Sequence, residues 1–189
     1  MVSFRGEELR MKILATGAAK TGKSCLIKRY CEGRFVVRNA STIGIDYGVK
    51  LVEVEGTQAR VIFFDCSGRK EFSEIRRPFY DNTDGLLLVF DLTRRETFDE
   101  LREWLNEAHA HGLSICTEKE KRKRRGDTGE AIPLEEGGDN DENSFIPVVL
   151  LANKDDMGGR CVSTAEISAF AESHGMLFFE TSANTNHNV

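Results

Sequence analysis

Residues 11–24 read Met-Lys-Ile-Leu-Ala-Thr-Gly-Ala-Ala-Lys-Thr-Gly-Lys-Ser. The first six form a short, mostly apolar run of the kind that makes a strand buried on both faces. The other eight, Gly17 to Ser24, spell G-x-x-x-x-G-K-S, and the helix-forming stretch Lys23–Glu32 follows at once. A strand, a glycine-containing turn and a helix N-terminus in that order cradle phosphate. Backbone N–H groups converge on the anion and the helix dipole adds a favourable field. Gly17 and Gly22 allow the tight path, and Ala18, Ala19, Lys20 and Thr21 fill the loop between them. Lys23 is placed to reach terminal phosphates, the Ser24 hydroxyl to ligate Mg²⁺, and Cys25 follows in the first turn. A nucleoside triphosphate is the ligand this stretch predicts.

Outward from the loop, strand-like and helix-like patterns alternate, which favours a mostly parallel sheet with helices on both faces. Met11–Thr16, Gly85–Leu92 and Ile146–Ala152 are near-continuous apolar runs. Tyr47–Glu55 and Gln58–Phe64 flank Glu55-Gly56-Thr57, a hairpin turn, and Met176–Glu180 makes a sixth strand. Lys23–Glu32, Thr97–His109 and Ser163–His174 read as helices, the last with Ser163, Thr164 and Glu166 in an N-cap pattern. The expected fold is α/β in three layers around six strands, a single domain over residues 1–189.

Composition narrows the classes. A net charge of −5 argues against a nucleic-acid binder. The N-terminus has no apolar signal region and no glycine at position 2, and no apolar stretch reaches membrane-span length. The five cysteines are odd in number and form no C-x-x-C pair, as in a reducing, cytosolic setting. A cytoplasmic monomer is expected.

Two irregularities stand out. Ser114–Ser144 is polar and far longer than the usual two to six residues of such a connection, so it reads as a disordered insertion. Within it Lys119–Arg125 carries a charge of +5 and Asp127–Glu142 carries −7. The basic run reads as a solvated loop or, alternatively, as a nuclear localisation signal or partner patch. The chain also ends at Val189, nine residues after the sixth strand and without a further helix, so one face of the sheet is expected to lack a layer. It reads as a fragment, with no prenylation motif in Asn184–Val189.

Further motifs follow in the order and approximate spacing of Ras-superfamily GTPases, and the resemblance covers the chain except the insertion. Asn153-Lys154-Asp155-Asp156 resembles the guanine-recognition motif N-K-x-D. In that motif a carboxylate accepts two hydrogen bonds that adenine has no donors to make. Thr181-Ser182-Ala183 resembles the second base-binding loop, with Ser182 and Ala183 as contacts. Thr42 matches the switch threonine that joins the Mg²⁺ shell, and Phe35 the aromatic that packs on guanine, unless it is an ordinary core residue. Asp65-Cys66-Ser67-Gly68 matches D-x-x-G: Asp65 would hold Mg²⁺ through water and the Gly68 N–H would meet the γ-phosphate. Within the superfamily, Thr42-Ile43-Gly44-Ile45-Asp46-Tyr47 resembles Rab proteins. The longer match is to the Rbj or RJL branch, whose members often carry a J domain; no J-domain signature stands in this chain.

The resemblance implies a switch that binds GTP and GDP with Mg²⁺, hydrolyses GTP, and meets effectors and regulators through residues 35–48 and 66–80. Catalytic roles fall to Lys23, Thr42, Gly68 and Arg69, and Mg²⁺ ligation to Ser24 and Thr42. Arg69 departs from the family, which places a glutamine there to orient water. A guanidinium donates only and accepts nothing from water, so slow hydrolysis is expected. Two alternatives stay open: Arg69 acting as an arginine finger in cis, and a GTP-loaded interaction module that barely turns over. His109 and His111 form an H-x-H without a third ligand and read as surface residues. Cys25 reads as facing the inner side of its helix, and Phe63, Phe64, Phe72, Phe79 and Tyr80 as a mixture of core and switch surface.

Overall fold

The computed structural model describes residues 9–37, 40–115 and 145–189. Six strands form one sheet: β1 (Leu9–Thr16), β2 (Ile45–Val54), β3 (Thr57–Cys66), β4 (Gly85–Asp91), β5 (Val148–Asn153) and β6 (Leu177–Thr181), in the order β2-β3-β1-β4-β5-β6. Only β2 and β3 pair antiparallel; the other neighbours are parallel. The hairpin between them turns on Glu55 and Gly56, both at positive φ (51° and 79°), as a two-residue turn matched to strand twist requires. Thr57, expected in the turn, is the first residue of β3.

Helix α1 (Lys23–Glu32) has the expected bounds and stops at Gly33, whose left-handed φ of 69° sends its N–H back to the Arg29 carbonyl. The helix expected over Thr97–His109 is two: α3 (Arg95–Asp99) and α4 (Leu101–Ala110), broken at Glu100. There ψ falls to −10° and the Glu103 N–H bonds the Glu100 carbonyl, three residues back. Helix α5 (Thr164–Ser173) opens on a complete capping box, the Ser163 hydroxyl accepting from the Glu166 N–H and the Glu166 carboxylate from the Ser163 N–H. After β3 comes helical structure that the periodicity did not reveal: single turns at Lys70–Phe72 and Arg77–Phe79 flank α2 (Ser73–Arg76). Pieces this short carry no readable period.

The two faces of the sheet are covered unequally. Leu14, Leu86, Leu88, Leu150 and Ala152 lie in one buried cluster with Phe98, Leu101, Trp104, Leu105 and Ile167 from α3, α4 and α5. On the opposite face, Leu26 of α1 packs with Val89 and Ala183. Towards β6 that face opens, leaving Leu177 67% and Phe179 45% exposed.

Ser114 and Ile115, assigned by their polar neighbourhood to the insertion, belong to the fold. Ile115 is buried and bridges to Ile146, and the Ile146 N–H bonds the Ser114 carbonyl. Residues 114 and 146 therefore meet, and the described residues on either side of 116–144 come together at one place. That segment, with its basic and acidic runs, lies outside the described residues. Among the described residues no helix is long and apolar enough to cross a membrane.

Candidate nucleotide site

The C-terminal ends of β1, β3, β4, β5 and β6 converge on a cavity of about 590 Å³, within the usual range for small-molecule sites. It is lined by Ala19, Lys20, Gly22, Lys23, Ser24, Cys25, Phe35, Thr42, Gly68, Arg69, Asn153, Lys154, Asp156 and Ala183, most of the residues singled out in the sequence. Gly17, Ala18, Thr21, Asp65 and Ser182 are buried behind its wall. Val36, Met157 and Asn184 line it too. Of these, Asn184 was legible in principle, since it directly follows Thr-Ser-Ala.

At the phosphate end the loop is fixed by contacts that leave no room for side chains. Gly17 sits at φ 131°, and a Cβ there would fall 2.1 Å from the Val89 carbonyl oxygen. A Cβ on Gly68 would lie 2.4 Å from backbone atoms of Ala18 and Ala19, so the D-x-x-G segment presses directly on the loop. Lys20 adopts a left-handed φ of 66°, a local cost of the kind that collects at functional sites. The Thr21 hydroxyl donates to the Ala18 carbonyl at 3.0 Å. The Lys23 ammonium donates to the carbonyls of Gly17 (2.7 Å) and Ala18 (2.9 Å), and burial pulls its pKa down to about 8.

Three oxygens from distant parts of the chain meet beside this loop. Ser24 Oγ donates to Asp65 Oδ2, Thr42 Oγ1 donates to the same atom at 3.2 Å, and the two hydroxyls lie 3.1 Å apart. Asp65 is buried, which pushes its carboxyl pKa up, and its Oδ1 is buried without a hydrogen-bond partner. Two hydroxyls and an under-satisfied carboxylate are hard oxygen donors, the set that suits Mg²⁺. Among the described residues no cluster of three or more His, Cys, Asp or Glu offers an alternative metal site. His111 instead stacks on Tyr80, their rings 5.0 Å apart.

The base end is built from side-chain hydrogen bonds. Asn153 is buried and its amide donates to the Thr21 carbonyl at 2.8 Å, joining the N-K-x-D segment to the phosphate loop. Lys154, at φ 70°, pairs with the buried Asp91 at 2.6 Å. Burial pushes the Asp91 carboxyl up, but hydrogen bonds from Lys154 and Thr93 outweigh that and hold it below the usual range. The same carboxylate faces Arg94, which donates to the Ala19 carbonyl at 2.9 Å. Asp91 was missed in the sequence; its signal is its place at the end of β4, in register with Asn153.

Asp156 is exposed at the rim. Two donors orient it: the Ser182 hydroxyl at 2.6 Å on Oδ1 and the Asn184 amide at 2.9 Å on Oδ2. The Ser182 bond is the main reason its pKa lies below the ordinary value. A carboxylate offers about four lone-pair sites, so capacity for a ligand's donors remains. Arg29 of α1 ties down the neighbouring loop, donating to the carbonyls of Ala183 (2.8 Å) and Asn184 (2.9 Å). Its guanidinium lies 5.9 Å from the centre of the Phe35 ring.

The switch end is looser. Arg69 is exposed and pairs with Glu71 at 3.2 Å. Exposed Val37, Ile43, Tyr47 and Ile75 fall within 35–48 and 66–80, whereas Tyr80 is fully buried and Phe63, Phe64, Phe72 and Phe79 are partly buried. The two segments touch where the Ser67 N–H bonds the Gly44 carbonyl.

Comparison with known proteins agrees with this layout. The Ras family model matches residues 12–118 and 136–189. The proteins called DnaJ homolog subfamily C member 27 from Rattus norvegicus and Homo sapiens are each 40% identical to the chain. The match covers 97% of the chain, with 58% of the rat protein and 59% of the human one. The Danio rerio protein of that name is 38% identical over 97% of the chain and 58% of its own length. The chain thus spans under three fifths of these relatives. The family model, matched over most of the chain that builds this cavity, shows that the chain belongs to the Ras family of small GTPases.

Proposed function

We propose that the chain is a guanine-nucleotide switch that binds GTP and GDP with Mg²⁺ and hydrolyses GTP slowly. The observation that carries this reading is the convergence of Ser24, Thr42 and Asp65 at one end of the cavity whose other end holds the oriented Asp156. Ser24 and Thr42 would ligate Mg²⁺, with Asp65 behind them; the bound ion would neutralise phosphate charge. Asp156 accepts from the guanine edge, Ser182 and Ala183 frame the base loop, and Phe35 covers the base. Lys23 and the phosphate-loop amides hold the terminal phosphates, and the Gly68 N–H meets the γ-phosphate.

Hydrolysis is slow on this reading because Arg69 has only donors and its guanidinium is engaged with Glu71. Nothing at that position accepts a hydrogen bond from an attacking water. The same observation favours a second reading, a module that stays GTP-loaded and acts through its partners. In either case the exposed apolar residues Ile43, Tyr47 and Ile75 are the contact surface for protein effectors.

Identifying the nucleotide that co-purifies decides between the two: mostly GDP for a switch that turns over, mostly GTP for the module. Competition titrations test the shared part. GTP and GDP should displace a fluorescent guanine nucleotide, ATP should not, and EDTA should speed release. ATP competing as well as GTP would refute the assignment.

A further inference from the structure

Arg76 is a buried cation that none of the nucleotide motifs uses. It lies at the end of α2, 2% exposed, with its guanidinium 4.7 Å from the centre of the Trp104 ring. Nε and Nη2 grip the Glu107 carboxylate of α4, the Nη2 bond measuring 2.7 Å. The buried Tyr80 hydroxyl donates to Glu107 Oε1 at 2.9 Å. Burial pushes the Glu107 carboxyl up, but the bonds and charge of Arg76 prevail and hold it below the usual range.

The remaining nitrogen has a different target. Nη1 donates to the carbonyl of Arg69 at 2.9 Å and to that of Ser67 at 3.3 Å. Those carbonyls stand immediately before and after Gly68. Gly68 in turn is pressed so closely on Ala18 and Ala19 that no Cβ fits between them. Gly68 is therefore held between the phosphate loop on one side and a fixed guanidinium on the other. An ion pair serving only to fill the core needs no such bonds. A lysine could still neutralise Glu107, but its single ammonium cannot span a carboxylate and two carbonyls as a planar fork does.

We propose that Arg76 is the positioning residue for Gly68. Through the Ser67 and Arg69 carbonyls it sets where the Gly68 N–H points, and through Glu107 it fastens that setting to α4. This rests on the reading that Gly68 meets the γ-phosphate. Arg76 touches no nucleotide itself. It raises the affinity for a triphosphate over a diphosphate by keeping the Gly68 amide in place before the ligand arrives. It also means that a partner pulling on α2 acts on the γ-phosphate contact.

The test measures affinity for GDP and for a non-hydrolysable GTP analogue, both with Mg²⁺, in three variants of the full chain. Arg76→Lys keeps the charge opposite Glu107. The double variant Arg76→Met with Glu107→Met replaces the pair by apolar side chains and leaves no lone buried charge. Gly68→Ala puts a methyl against the phosphate loop and should weaken the analogue more than GDP. For both Arg76 variants, GDP affinity should stay within about twofold, which also reports the fold, while analogue affinity falls about tenfold. If Arg76→Lys preserves the parent's preference for the analogue, or both nucleotides weaken equally, Arg76 is merely structural and the proposal falls. If Gly68→Ala fails to separate the two nucleotides, the reading of Gly68 falls and takes the proposal with it. If Gly68→Ala separates them and the Arg76 variants do not, only the positioning role is lost.

Discussion

The two ends of the cavity are built by different means. At the base end, Asn153, Asp91, Ser182 and Ala183 are buried, and Asn153, Asp156, Arg29 and Arg94 all make side-chain bonds between segments far apart in the chain. At the switch end, Gly68 is held from behind by Arg76, but the outer residues Ser41, Ile43 and Arg69 are exposed, and Thr42 is held by hydroxyl contacts to Ser24 and Asp65. Dense buried bonding makes a region expensive to open, whereas exposed segments with few bonds open at low cost. The rigid end suits choosing a ligand, and the loose end suits registering which form of it is bound.

The sharpest way to break this contrast is at Asp156. Asp156→Asn removes an oriented charge-assisted acceptor of two bonds, so GTP affinity should fall by about 100-fold or more. Affinity for xanthosine triphosphate should rise, because asparagine donates to the carbonyl that xanthine carries in place of the amine. A fluorescent-nucleotide titration in which GTP affinity survives would mean the base end does not select.

Substitutions at Arg69 should instead change rate and leave affinity alone. Single-turnover phosphate release should be about tenfold or more faster for Arg69→Gln and unchanged for Arg69→Ala. If Arg69 is an arginine finger in cis, both variants should slow down, by up to about 10³-fold. Arg69→Ala running markedly slower than the parent decides for the finger.

A smaller effect is expected at Arg29, which supports the base loop from behind. Losing its bonds to the carbonyls of Ala183 and Asn184 should speed GDP dissociation by about five- to tenfold. The hydrolysis rate of bound GTP should not move. A stopped-flow chase that shows unaltered GDP release for Arg29→Ala would remove Arg29 from the rigid end.

The smallest effect belongs to residues 116–144. Ile115 and Ile146 already pair, so a short Gly-Ser linker can replace the segment without moving either strand end. GDP and GTP affinities should stay within about twofold. A large loss in the same titration would mean the segment contributes to the site.

How much of this was legible follows from distance along the chain. Gly17 to Ser24, Asp65 to Gly68 and Asn153 to Asp156 are contiguous motifs, so each could be picked out directly, and the structure brings all three to one cavity. Helix α1 and the Ser163–Glu166 capping box were legible for the same reason, being local. Arg29, Asp91, Arg94 and the Arg76–Glu107 pair were not legible. Each is an ordinary charged residue on or beside a helix or at a strand end, and its role comes from a partner 31 to 155 residues away. The break at Glu100 and the turns around α2 were hidden because pieces of three to five residues are too short for a period to show.

The sequence by itself determined an α/β fold of six strands with helices, and the order of the G-x-x-x-x-G-K-S, D-x-x-G and N-K-x-D motifs along it. Backbone propensity, apolar periodicity and short motifs act within a few residues, and a linear reading detects such forces. Only the tertiary structure decided which charges lie buried against which carbonyls. It also decided that Asp156 is oriented by Ser182 and Asn184 rather than by burial, and that Leu150 is covered while Leu177 of the neighbouring strand is not. Both leucines stand in stretches that read as strands. Burial depends on what packs across from a residue, and that partner is chosen by the fold.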